Sequence, residues 1–274
     1  QTQIGVMADK NSSLDGGPED KKIKVGIVNY LNTKPLIYGL QKQPINEQIE
    51  LIGDYPAKLA EMLIKGEIDL GLIPVAVIPQ LPSYNIISDY CIGTEGEIAS
   101  VALFSEVPMN EKEKVYLDYQ SRTSVELLKY LMKEYWGINP EIIQATNDDY
   151  RRQISGTTGG LVIGDRALEQ RKISTFIYDL GSEWKSITGL PFVFAAWVSN
   201  KEINQDFLDD FNAALQIGLS NRSQLLAKYS SYNSSNFSVK EYWNTNIQYE
   251  LDSDKKQALE LFLKKLNPNQ QFFY

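Results

Sequence analysis

The 274-residue chain contains no histidine. That excludes a Ser-His-Asp triad, a Cys-His dyad, a His-bound zinc and a histidine general base. Cys91 is the only cysteine, so no intrachain disulfide and no thiolate cluster can form. No run reaches the roughly 18 apolar residues that a membrane span needs. Positive charge is in deficit. Against 35 Asp and Glu stand 27 Lys and Arg, a net of −8, so a nucleic-acid partner lacks its electrostatic footprint. What is present is ordinary for a globular protein, 43% hydrophobic and 23% charged. The length suits about two domains. Chemistry here must use carboxylates, hydroxyls, amides, Lys, Arg or the substrate itself.

Residues 1–21 are expected to form a polar tail with little regular structure. They have no apolar core segment and do not read as a secretory signal. Met7 reads as the native start behind a short vector remnant, or the stretch is the tail left by processing.

Beyond it, strands alternate with helices. Residues 24–28, 49–52, 68–73, 85–90, 98–104, 115–118, 160–163 and 192–198 are β-rich apolar runs. Between them lie helical patterns, such as Leu59, Met62 and Leu63 before Gly66. Thr123 and Glu126 are spaced as a capping box, ahead of a stripe of Leu128, Leu131, Met132 and Tyr135 that Gly137 ends. Ser238 and Glu241 form a second such pair. The C-terminal part is mostly helical. The pattern predicts an α/β architecture of two lobes joined by two crossings. Residues 22–102 plus 197–274 would form one lobe and 103–196 the other. The long runs 98–104 and 192–198 would carry the chain between them, and a ligand would sit in the cleft.

Four positions could carry chemistry, each beside a plainer role. Tyr30, Asn32 and Thr33 follow a strand and precede a helix, where an anion is welcome, or they merely turn and cap. Ser121, Arg122, Thr123 and Ser124 offer hydroxyls and a guanidinium at a helix start, although capping needs neither Ser121 nor Arg122. Gly164-Asp165 follows a buried strand, and Asp165 is a general acid or base, or an N-cap. Ser100 either faces the cleft or sits on a strand. The charge run 111–114 and the pair Asp148-Asp149 read as solvated surface. The Gly-rich stretch 156–160 lacks the lysine of a phosphate loop and reads as a turn.

The phrases VGIVNYLNTKPLIYGL, EIDLGLIPV, IASVALFS, LDYQSRTSVELL, LVIGDRAL and LGSEWKSITGLPFVFAAWV occur in this order. Together they resemble the chorismate dehydratase family of the futalosine route to menaquinone, over residues 24–200. The resemblance implies a two-lobe, type II periplasmic-binding-protein-like fold. It implies a cofactor-independent hydro-lyase that converts chorismate to 3-[(1-carboxyvinyl)oxy]benzoate and water in the cytoplasm. It matches the family's active-site asparagine to Asn32, and its small polar residues opening the second-lobe helix to Thr123 and Ser124. Val75 departs from the serine that many relatives carry after Ile-Pro. A sister family on the same fold relies on a histidine near the position of Gly164, which this chain lacks.

On this resemblance Asn32 orients the substrate, and the base is the substrate's own enolpyruvyl carboxylate or Asp165. Tyr30, Thr33, Ser100, Ser121, Arg122, Thr123, Ser124 and Gly164 are the expected substrate-binding positions. No metal, nucleic acid or membrane is expected, and the oligomeric state is left open. Two rivals remain: a solute-binding protein for a small organic anion on the same fold, and an enzyme of a later menaquinone step.

Overall fold

The apolar runs sort into two sheets in the computed structural model, which describes residues 2–3 and 21–271. The first strands are β1 (Thr2–Gln3), β2 (Ile23–Val28), β3 (Ile49–Asp54), β4 (Leu70–Pro74) and β5 (Asn85–Thr94). The middle of the chain supplies β6 (Val101–Ser105), β7 (Lys114–Leu117), β8 (Glu141–Gln144), β9 (Thr158–Ile163) and β10 (Phe176–Asp179). β11 (Phe192–Ser199) and β12 (Gln248–Glu250) close the series. The large sheet has the order β1-β3-β2-β4-β11-β5-β12 and the smaller one β10-β6-β9-β7-β8. β2 lies parallel to β3 and β4, whereas β11 runs antiparallel to β4 and β5. The expected α/β class and two-lobe arrangement are therefore present. Among the described residues no helix is long and apolar enough to cross a membrane. The expectation for residues 1–21 lies largely outside the described residues, but Thr2–Gln3 do pair with Gly53 and Ile52.

The crossings differ from the sequence expectation. β6 begins only at Val101 and pairs throughout with β9 and β10 in the small sheet. β11 stays entirely in the large sheet. Both cut points, 102/103 and 196/197, thus fall inside strands. The chain passes between sheets in the segments 95–100 and 180–191 instead. The reason is hydrogen bonding: a strand needs neighbours along its whole length, and the space between two sheets supplies none. Residues 98–100 are loop, and Ala99 sits at φ +71°, a region that disfavours side chains. The buried Asp179 carboxylate holds it there, accepting the Ile98 and Ala99 N–H groups at 3.1 and 2.8 Å. Burial pushes that carboxyl up to about 6, against the pull of its backbone donors.

The helices are α1 (Lys34–Leu40), α2 (Pro56–Ile64), α3 (Thr123–Tyr130), α4 (Asp165–Gln170) and α5 (Leu180–Thr188), followed by α6 (Gln205–Ser220), α7 (Arg222–Leu225), α8 (Val239–Glu241) and α9 (Ser253–Leu266). α3 continues as a π-helical turn, Leu131–Trp136, that Gly137 ends at φ +61°. α1 packs on α6 through two glycines. A Cβ on Gly39 would meet Ala214 O at 1.9 Å, and one on Gly218 would meet Pro35 O at 1.9 Å. That close approach seats the loop before α1 against the rest of the lobe.

The charge run 111–114 needs one correction. Lys112 is buried, with its ammonium 3.3 Å from Val107 O and 4.4 Å from the Tyr178 ring centroid. Its four-carbon stem packs along Gly159, and burial lowers its pKa to about 8.

Candidate active site

β2 ends at Val28, and the chain turns through Asn29 and Tyr30 into a 3-10 turn, Leu31–Thr33. The fully buried Thr33 hydroxyl contacts Val28 O and Tyr30 O, so it closes the loop. Asn32 differs. Its side chain lines the interlobe cavity, and its buried Oδ1 has no hydrogen-bond partner. Such an orphaned acceptor costs about 1–3 kcal/mol and calls for a ligand donor. Tyr30 donates its hydroxyl to Gln120 Oε1 of the facing lobe.

Across the cleft, α3 begins without the expected capping box. Arg122 occupies the N-cap with no side-chain cap bond, and Thr123 is the first helical residue. The Thr123 hydroxyl instead accepts the Ala76 N–H at 3.2 Å, from the other lobe. The first N–H groups of α3 have no intrahelical acceptor, so they keep their capacity for an anion. Ser121 and Ser124 are buried beside them, while Arg122 is exposed, with Nη1 donating to Ser121 O at 3.1 Å.

α4 also lacks a side-chain cap. Gly164 is its N-cap at φ +69°, and a Cβ there would lie 2.7 Å from the Tyr30 ring. Only glycine satisfies both the backbone angle and this contact. The reading of Asp165 as an N-cap is overturned. Its carboxylate reaches across the cleft to accept the Leu31 N–H at 2.8 Å and the Tyr232 hydroxyl at 3.4 Å. Burial raises its pKa, and the Leu31 N–H partly offsets this. Asp165 lies outside the lining of the cavity.

α5, α6, α8 and α9, whose starts lie outside the cavity lining, are capped by Asp179, Asn204, Ser238 and Asp252. α3 and α4, whose first turns border the cavity, carry no side-chain cap, and neither does the four-residue α7, whose start lies away from it.

Tyr30, Asn32, Thr33, Ser100, Ser121, Arg122, Thr123, Ser124 and Gly164 all line the cavity, so the structure gathers every expected site residue there except Asp165. Ile92, Ile98, Ile163 and Phe194 supply apolar wall suited to a flat ring. Arg122 is the single charged side chain in the lining among the described residues. The buried Ser100 hydroxyl accepts from Tyr242 OH at 2.5 Å, which leaves its own proton for a ligand. Asp148 is held by Arg166 at 2.7 Å and by Tyr119 at 3.1 Å.

A family profile described as menaquinone biosynthesis matches residues 23–268. The chain belongs to this family. A chorismate dehydratase from Thermus thermophilus is 29% identical over 196 residues, which is 65% of this chain and 70% of the relative. Among solved structures, a protein from Archaeoglobus fulgidus superposes with a TM-score of 0.71 at 12% identity, covering 92% of this chain and 99% of its own. The aliphatic sulphonate binding protein SsuA of Escherichia coli gives 0.58 at 14% identity, covering 90% and 87%. A Candida albicans protein with the generic periplasmic binding protein fold gives 0.57 at 13%, covering 92% of each chain. These last likenesses establish the fold of this menaquinone-biosynthesis family member.

Sequence reasoning missed Gln120 and Tyr242. Gln120 stands directly before Ser121, and its carbonyl also accepts the Ala57 N–H at 3.0 Å, across the cleft. Its place in the phrase LDYQSRTS was the available signal. Tyr242 had none, since its partner Ser100 lies 142 residues away.

Proposed function

We propose that this protein is a chorismate dehydratase acting in the futalosine route to menaquinone, releasing 3-[(1-carboxyvinyl)oxy]benzoate and water. The observation that carries the reading is the cavity's chemistry. An orphaned carboxamide oxygen on Asn32 faces an uncapped helix start with Arg122, across apolar walls, and no carboxylate of the described chain lines the space. Such a lining suits a dianion with a flat carbon ring. Membership of the menaquinone-biosynthesis family and the Thermus relative support the same reading. It includes a cytoplasmic location and no resident cofactor.

The reaction removes the proton on C3 of the ring and then hydroxide from C4. The C3 proton is activated by conjugation with the ring carboxylate. Electrons of the broken C–H bond move into the ring and onto that carboxylate, then expel hydroxide, which leaves as water with the proton. Aromatisation drives the second step. The N–H groups of α3, with Ser124 and Arg122, bind a carboxylate and stabilise charge that develops on it. The Asn32 carboxamide oxygen accepts from the C4 hydroxyl and orients it. The base is the substrate's enolpyruvyl carboxylate, attached through oxygen to C3 itself. Asp165 is the weaker candidate because its oxygens are engaged by Leu31 N–H and Tyr232. Closure of the cleft by the Tyr30–Gln120 and Leu31–Asp165 contacts keeps water away from the reacting ring.

The test is incubation of purified protein with chorismate, followed by absorbance and mass spectrometry. Appearance of the benzoate ether supports the reading. Tight binding with no product would sink it in favour of a receptor on this fold. Asp165→Asn keeps an oxygen for the Leu31 N–H, so its turnover should fall only a few-fold, well short of the roughly 10²–10⁴-fold expected on losing a general base. A larger loss would make Asp165 the base.

A further inference from the structure

The turn that carries Asn32 is three residues long, and such a short 3-10 segment does little to fix its own orientation. Its leading carbonyls are held from far along the chain. Trp243 donates its indole N–H to Leu31 O at 2.9 Å, and Tyr249 donates its hydroxyl to Asn32 O at 2.6 Å. These partners are 212 and 217 residues distant in sequence. Both rings are buried. They belong to one stretch, the π-helical turn Tyr242–Asn246 and β12, which also supplies the Tyr242 bond to Ser100. That stretch is itself anchored. Arg222 donates to Trp243 O at 2.8 Å and lies 5.8 Å from the Tyr249 ring centroid, while β12 pairs with β5.

We propose that Tyr249 and Trp243 are positioning residues that aim the Asn32 carboxamide at the substrate by fixing the peptide planes of Leu31 and Asn32. The inference rests on the dehydratase reading. Packing alone asks only for a ring at position 249, and phenylalanine would fill it without burying a hydroxyl that then needs a partner. Here that partner is the carbonyl of the residue whose side chain carries the orphaned oxygen. A hydrogen bond to this carbonyl sets the tilt of the peptide, and with it the direction of the Asn32 Cα–Cβ bond. An oriented group gains rate because misplacement by about 1 Å can cost on the order of 10²-fold.

The experiment is steady-state kinetics on chorismate with Tyr249→Phe and Trp243→Phe, beside thermal denaturation of each. Tyr249→Phe should lower kcat about tenfold or more, within that 10² limit, with KM changed less than about threefold. Trp243→Phe should act in the same direction and stands in if the first variant does not fold. Tyr150→Phe is the control. It loses an equivalent buried bond, Tyr150 OH to Leu161 O at 2.8 Å in the other lobe, and should lower Tm while leaving kcat unchanged. A Tyr249→Phe enzyme with wild-type kcat overturns the positioning role alone. A wild-type protein that leaves chorismate intact overturns the dehydratase reading, and this inference with it.

Discussion

Asn32→Ala should lower turnover of chorismate about 10²–10³-fold, the range seen when one preorganised polar group at a reacting centre is removed. The same change should leave Tm equal to the wild type or raise it. Asn32 combines a costly side chain with a fixed backbone: its Oδ1 is buried with no partner, while its own carbonyl is held by a hydroxyl from β12. Alanine removes the orphaned oxygen and leaves the Tyr249 bond to Asn32 O intact. Stability and activity should therefore move in opposite directions, as they do where a site sacrifices folding energy for function. Kinetics on chorismate with a parallel melting curve checks both parts. Turnover within threefold of wild type would remove Asn32 from the mechanism.

Gly39→Ala should be among the most damaging single methyls in the described structure, alongside Gly218→Ala with its equal 1.9 Å clash, at about 3–5 kcal/mol, the upper range for one substitution. The obstacle is backbone, not a side chain that can rotate. The new Cβ would lie 1.9 Å from Ala214 O and 2.9 Å from Gly218 N, both in α6. The helices would have to separate, and α1 begins immediately after the Asn32 turn. In a chain of this size each kcal/mol shifts the melting midpoint by about 2–4 °C, so a fall of roughly 10 °C is expected. Gly96→Ala provides the contrast, because its Cβ would meet nothing within 4 Å. Equal melting temperatures for the two variants would show that α1 and α6 have more freedom than their contact implies.

Much of the architecture was legible in residue spacing because it depends on neighbours close in the chain. The run Ile68–Ile73 became β4, although the strand starts only at Leu70 and includes Pro74, which was expected to end it, and the stripe of Leu59, Met62 and Leu63 became the buried face of α2. Ser238 does accept the Glu241 N–H, at 3.3 Å, as its capping box required. The same rule failed for Thr123, and the N-cap reading failed for Asp165. Each polar group accepts from a partner across the cleft instead, Ala76 N–H for one and Leu31 N–H for the other. A capping motif states what a side chain can accept from its own helix. It does not state what the facing lobe will offer.

The amino-acid order by itself determined the α/β alternation, the exclusion of every histidine-dependent chemistry, and the clustering of small polar residues at strand-to-helix junctions. Only the tertiary structure decided which of those residues face the cavity, why Asp165 joins the lobes instead of entering the space between them, and which distant rings hold the Asn32 turn. The division has a physical basis. Periodicity and turn chemistry act over about one helical turn, whereas the bonds that organise the site span 47 to 217 residues and form only after both lobes have packed.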